Sequence, residues 1–221
     1  MPDAASKDAT RDREELAALF LRLRSRESLP VKLMEAVEEL PRRAFFPDVT
    51  RDFYADQTLP IPCGETADSV ANVMRALAAL KVQPDSRILE VGTGSGYTTA
   101  LLARLGARVT SLERYRTLKD AAAERLKRLG LTNVTLHLED GREGFRDNAP
   151  YDRIILHGAV EETPRGFLEQ MASPGILLAA IGPGTGEQIL TRHHKAGSRF
   201  EVEPLYKIRT QALKPGIALV L

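Results

Sequence analysis

Apolar residues fall at Leu16, Leu19, Phe20 and Leu23, the three-four spacing of a helix, and predict one over 14–23. A second helix is predicted over 31–39, where Leu33, Met34 and Val37 share a face. Pro41 and Pro47 bracket a short irregular stretch. Residues 54–69, YADQTLPIPCGETADS, carry two prolines, a glycine and several polar residues and read as a loop. Ser69 is placed to cap a helix over 70–80 that turns Val73, Met74 and Leu77 inward.

Downstream the period alternates. Strands are predicted over 87–91 (RILEV), 108–112, 134–138, 153–156 (RIIL) and 176–181, and helices over 97–105, 117–129 and 164–171. Gly130 marks a helix end and Pro164 a helix start. Strand and helix alternating at this spacing imply βαβ units, so an α/β fold with a doubly wound, mostly parallel sheet covered on both faces. Residues 188–192 and 200–213 read as strands with no helix between them, which ends the sheet in an antiparallel hairpin. The expected layout is a loose tail over 1–12 and a single domain over 13–221. Within it, 13–80 form an N-terminal helical extension and loop, and 81–221 form the sheet.

Composition narrows the class. The 31 basic and 30 acidic residues leave a net charge of +1, so there is no electrostatic footprint for nucleic acid or an anionic membrane. No stretch approaches the roughly 18 continuous apolar residues of a membrane helix, and the N-terminus has no secretory apolar core. The lone Cys63 excludes a disulfide framework and suits a reducing cytoplasm. Oligomeric state is not legible.

The densest chemistry lies at Glu90-Val91-Gly92-Thr93-Gly94-Ser95-Gly96-Tyr97, where a strand gives way to a helix. Gly92 and Gly94 allow a tight turn and close approach of a ligand, and the following helix offers free N–H groups. The dinucleotide fingerprint wants its third glycine one residue later, where Tyr97 stands, so the string favours S-adenosylmethionine over a nicotinamide dinucleotide. Glu113 ends the next strand about 20 positions after Glu90, where an acid accepts hydrogen bonds from ribose hydroxyls; Arg114 follows it. Asp140-Gly141 follows the third strand and suits an adenine edge, whereas Asp152 reads as a structural turn or cap residue.

These residues and the loop before them resemble the protein-L-isoaspartate (D-aspartate) O-methyltransferase family over roughly residues 28–213. PRRAFFPD, YADQTLPIPCGETADS, LEVGTGSGYTTALLA, NVTLHLEDG, YDRIIL and FLEQMASPGILLAAIG match the family's blocks in order. The resemblance implies a Rossmann-like class I fold and methyl transfer from S-adenosylmethionine to a carboxylate on an altered aspartate of a protein or peptide acceptor. The chain departs from the family pattern at the acceptor end. Asp68 stands where the family has a serine, with Ser69 one residue late; Glu65 and Pro62 replace a glutamine and a glycine; and His157-Gly158-Ala159 replace a run of small residues.

A carboxylate acceptor is already a nucleophile and needs alignment rather than a base. An ionised Asp68 would repel it by on the order of 4 kcal/mol at about 4 Å. Asp68 therefore suits a hydroxyl or amine acceptor better, as acceptor of a hydrogen bond or general base, with His157 the next candidate base. Thr66 keeps its family position and offers a hydroxyl. The candidate catalytic set is Asp68, Thr66, Ser69 and His157; the candidate cofactor set is Glu90, Gly92, Thr93, Gly94, Ser95, Gly96, Tyr97, Glu113, Arg114, Asp140 and Gly141. Cys63 reads as a loop thiol, and His193-His194, adjacent on a strand, face opposite ways and do not pair as metal ligands. Three readings stay open: an isoaspartyl carboxyl methyltransferase, a divergent methyltransferase with another acceptor, and a cofactor-binding protein without turnover.

Overall fold

The computed structural model describes residues 4–25, 28–46, 52–163 and 165–218. Helices α1 (Ala4–Arg24) and α2 (Val31–Glu39) come first. The α1 helix starts inside the segment read as a loose tail, and Asp12 on it is buried against Arg43 at 2.7 Å. A single turn of 3-10 helix at Arg42–Phe45 follows.

The stretch read as a loop is partly ordered. Strands β1 (Leu59–Ile61) and β2 (Glu65–Ala67) pair antiparallel around a turn at Pro62–Gly64. Strands this short carry no period, which is why the pattern does not reveal them. Helix α3 (Val70–Leu80) is capped as expected: the Ser69 hydroxyl accepts from the Asn72 N–H at 3.2 Å.

The alternating region follows as β3 (Arg87–Val91), α4 (Tyr97–Leu105), β4 (Arg108–Glu113), α5 (Arg116–Arg128), β5 (Val134–Leu138), β6 (Tyr151–Val160), α6 (Arg165–Gln170), β7 (Met171–Ile181), β8 (Gln188–Ala196) and β9 (Arg199–Ile208). The sheet order is β5-β4-β3-β6-β7-β8-β9, parallel through β7 and antiparallel for β8 and β9. Strand β6 is longer than its apolar RIIL segment. Met171, expected to end a helix, instead begins β7. Strand β9 ends at Ile208, so the expected strand over 200–213 is cut short, and residues 209–218 leave the sheet edge.

The period of two sorts the two cores. Ile88, Val109, Ile155, Ile176 and Leu178 face α2, α3 and α4, together with Leu33, Val37, Met74 and Leu101. Leu89, Val91, Leu112, Ile154, Leu156, Leu177 and Ala179 face the other way, onto Phe167 of α6. Asp152 is structural, as expected: its carboxylate accepts the Arg87 N–H at 2.8 Å and ties β6 to β3. The order reverses at β3, whose next strand in sequence lies on one side and β6 on the other. Such a switch point opens a crevice beyond the strand C-termini.

Candidate functional site

An open cleft of about 1140 Å³, solvent at its mouth included, lies at this switch point. Its floor is the turn from β3 to α4. Gly92, Gly94 and Gly96 have φ of 97°, 54° and 84°, all in the left-handed region. A Cβ at Gly92 would lie 3.2 Å from the Cβ of His157, and one at Gly96 3.1 Å from that of Ala122 on α5. The loop therefore packs its backbone directly against β6 and α5 while its other side stays open.

Glu113 ends β4 and is 4% exposed. One carboxylate oxygen accepts the Gly94 N–H at 2.9 Å and the other the Tyr115 N–H at 3.0 Å. Burial raises its pKa, opposed by these backbone bonds. Glu113 lines the cleft, and a carboxylate has acceptor sites beyond those its backbone partners occupy. Thr93 and Ser95 are buried; the Thr93 hydroxyl bonds the Ser111 hydroxyl at 2.6 Å and the Ser95 hydroxyl accepts the Tyr97 N–H at 3.3 Å. Tyr97 packs edge-on to Phe45 at 5.3 Å.

Glu90, Asp140 and Ser69 do not line the cleft as expected, and Arg114 lines it but directs its guanidinium elsewhere. Glu90 is fully buried beneath the loop rather than on the cleft wall: it accepts from Thr99 Oγ1 at 2.5 Å and Ser111 Oγ at 2.7 Å and bonds His157 Nε2 at 3.0 Å. Asp140 turns off the wall, which Glu139 and Gly141 form instead. Its carboxylate takes Arg142 and the Gly216 N–H, the latter at 2.7 Å, and these partners depress its pKa, Arg142 foremost. Arg114 directs its guanidinium at the carbonyls of Gly216 and Pro215, at 2.9 and 3.1 Å. Ser69 is 2% exposed, and besides capping α3 it donates to Asp56 at 2.7 Å, which removes it from the candidate catalytic set. In these cases side-chain direction is set by partners that the local sequence pattern does not reveal, such as His157 for Glu90, Gly216 for Asp140 and Asp56 for Ser69.

The acceptor end gathers Thr66, Asp68, His157 and Arg42. Arg42 carries no earlier signal beyond its place in PRRAFFPD. It is 1% exposed, sits over the rings of Phe46 and Tyr97, and donates to the carbonyls of Phe53 and Asp68. An arginine inside an aromatic-rich run is the cue that was present. Burial raises the Asp68 carboxyl pKa, and the charges of His157 and Arg42 oppose it. Cys63 lies in the β1–β2 turn at φ 67°, and burial, with Glu113 and Glu65 nearby, pushes its thiol up, the reverse of an activated nucleophile. His193 and His194 alternate on β8, the first buried and the second half-buried. Among the described residues no helix is long and apolar enough to cross a membrane.

A glycine cradle at the switch point of this sheet, with a buried acid at the end of the next strand, defines a class I S-adenosylmethionine-dependent methyltransferase. The sequence model of the family Protein-L-isoaspartate(D-aspartate) O-methyltransferase matches residues 14–213, and the chain belongs to that family. A Caulobacter vibrioides protein-L-isoaspartate O-methyltransferase is 37% identical over 219 residues, 99% of each chain. One from Bradyrhizobium sp. is 40% identical over 197 residues, 89% of this chain and 92% of that one. A Plasmodium falciparum structure described as such an enzyme in complex with S-adenosyl-L-homocysteine superposes with TM-score 0.77 at 20% identity, over 92% of this chain and 98% of that one. At that identity the likeness supports the fold.

Proposed function

We propose that this chain transfers a methyl group from S-adenosylmethionine to the side-chain carboxylate of an isoaspartyl residue in a protein or peptide. What carries the reading is one cleft with two unlike ends: the glycine cradle with Glu113 at one, and Arg42, Thr66 and Asp68 at the other. The donor set fits the cofactor. Glu113 has acceptor capacity for vicinal sugar hydroxyls, the backbone at 92–96 leaves room for close approach, and Leu112, Leu118 and Gly141 form walls for a flat ring. Once bound, the cofactor supplies an electrophilic methyl on a sulfonium.

This chain's residues then do the aligning. The loop at 92–96 and Glu113 fix the donor end. Thr66 offers a hydroxyl at the acceptor end, and Arg42 holds the backbone of Asp68 so that the acceptor loop keeps its shape. No base is required, because the acceptor is an anion; proximity and in-line orientation are the main contribution. Glu90 acts from below, fixing Thr99, Ser111 and His157 rather than touching the cofactor.

The test is to incubate the protein with methyl-labelled cofactor and matched isoaspartyl and aspartyl peptides, then treat with mild base. Label on the isoaspartyl peptide alone, released as volatile methanol, is the expected result. Base-stable label, or equal labelling of both peptides, overturns it.

A further inference from the structure

His157 stands between two carboxylates that the methyl transfer itself does not use. On the buried side, Glu90 on the neighbouring strand holds Nε2 at 3.0 Å, with no exposure of its own side chain. Glu90 spends its other oxygen on two hydroxyls, so His157 is the one ionisable partner it has among the described residues. On the open side the imidazole is 23% exposed and shares the cleft wall with Asp68. It also backs the cradle, with its Cβ against Gly92.

The charges that act most on the His157 ring are negative, although the cleft as a whole is lined by Arg42, Arg114, Arg209 and Lys214 as well as by Glu65, Asp68, Glu113 and Glu139. Glu90 comes from β3, Glu113 from β4 and Asp68 from the segment before α3. Arg42 donates to two carbonyls and keeps its fixed charge near Asp68, and Lys214 from the C-terminal segment is paired with Glu65 at 2.8 Å. A carboxylate entering beside Asp68 therefore meets a like charge there, and among the cations of the cleft the imidazole is the one that titrates near neutral pH.

We propose that His157, clamped by Glu90 and facing Asp68, is the specificity-determining cation of the acceptor end: protonated, it admits a carboxylate acceptor beside Asp68, and neutral, it turns one away. The inference rests on the isoaspartyl reading. Burial works against the charged ring, yet the bond to Glu90 and the charges of Glu90, Asp68 and Glu113 outweigh it, and the proton is held above the usual imidazole range.

The experiment measures KM and kcat for an isoaspartyl peptide from about pH 6 to about pH 9, across the range where an imidazole loses its proton. In the wild type KM should rise at least about tenfold with pH, while kcat and the affinity for S-adenosylhomocysteine stay nearly flat. Asp68→Asn should lower KM at the alkaline end and shrink that rise, and His157→Asn should give a high KM at every pH. A wild-type KM independent of pH overturns the proposal. A chain that methylates no isoaspartyl peptide at any pH instead defeats the functional reading. In that event NMR titration of the His157 ring decides this proposal: added isoaspartyl peptide should raise the ring's pKa and its methyl ester should not, and an unmoved titration overturns it.

Discussion

Glu113 accepts a backbone N–H on each carboxylate oxygen and also lines the cleft, so it braces the loop and, on the proposed reading, is placed to meet the ligand. Glu113→Ala should weaken S-adenosylhomocysteine binding by about 1–3 kcal/mol, since sugar hydroxyls lose their acceptor. Calorimetry checks this, and unchanged affinity would remove the assignment. His157 allows a second test. Its folded pKa lies above the unfolded value of 6.5, so the Glu90–His157 pair contributes its full stability below that value and loses it as pH rises through the folded pKa. The melting-temperature gap between wild type and His157→Asn should be widest in mild acid and close in alkali; a gap constant with pH would mean that the pair is not charged. At this scale the sequence was informative wherever backbone position decides the role. The place of Glu113 on the cleft wall is legible because it ends a strand. Glu90, Asp140 and Ser69 were misplaced because their partners, His157, Gly216 and Asp56, lie far away in the chain.

At the scale of elements, the turn from β3 into α4 concentrates the geometric demand. Gly96 combines φ of 84° with a would-be Cβ 3.1 Å from Ala122, so Gly96→Ala should both strain the backbone and push the loop off α5. We expect a loss of about 1–3 kcal/mol in stability and weaker S-adenosylhomocysteine binding, read by denaturant melts and calorimetry. Wild-type stability in that variant would show that the loop relaxes freely. The parallel strands and their helices were legible because each buries one face at a fixed period. The β1–β2 hairpin was not, because three-residue strands with Pro60 in one of them carry no alternation. The end of β9 was misread because Ala212 and Leu213 prolong the apolar pattern. The structure instead pairs that backbone with Ala159 on β6, through N–H···O bonds of 2.8 Å in both directions.

Over the whole molecule, segments from four places meet above the cleft: Glu65 of the hairpin, Arg114 and Tyr115 after β4, Asp140 after β5, and residues 209–218. The Lys214 ammonium and the Tyr115 hydroxyl both reach Glu65 Oε1, at 2.8 and 2.9 Å. Arg114 holds the carbonyls of Gly216 and Pro215, and its own carbonyl accepts the Ala218 N–H at 3.0 Å. Leu213 packs against the core, but Lys214, Pro215 and Ile217 are exposed, so polar contacts hold the end of this strap. Hydrogen bonds of this kind contribute roughly 0.5–1.5 kcal/mol each, so the loss of one loosens this segment without unsettling the core. Asp140 ties it down through the Gly216 N–H at 2.7 Å without lining the cleft itself. Asp140→Ala should therefore leave the melting temperature within a few degrees of wild type yet speed dissociation of S-adenosylhomocysteine by about fivefold or more, as expected when about 1 kcal/mol of closure is lost. Stopped-flow displacement measures this directly. A dissociation rate equal to that of wild type would mean that the product leaves by a route the strap does not cover.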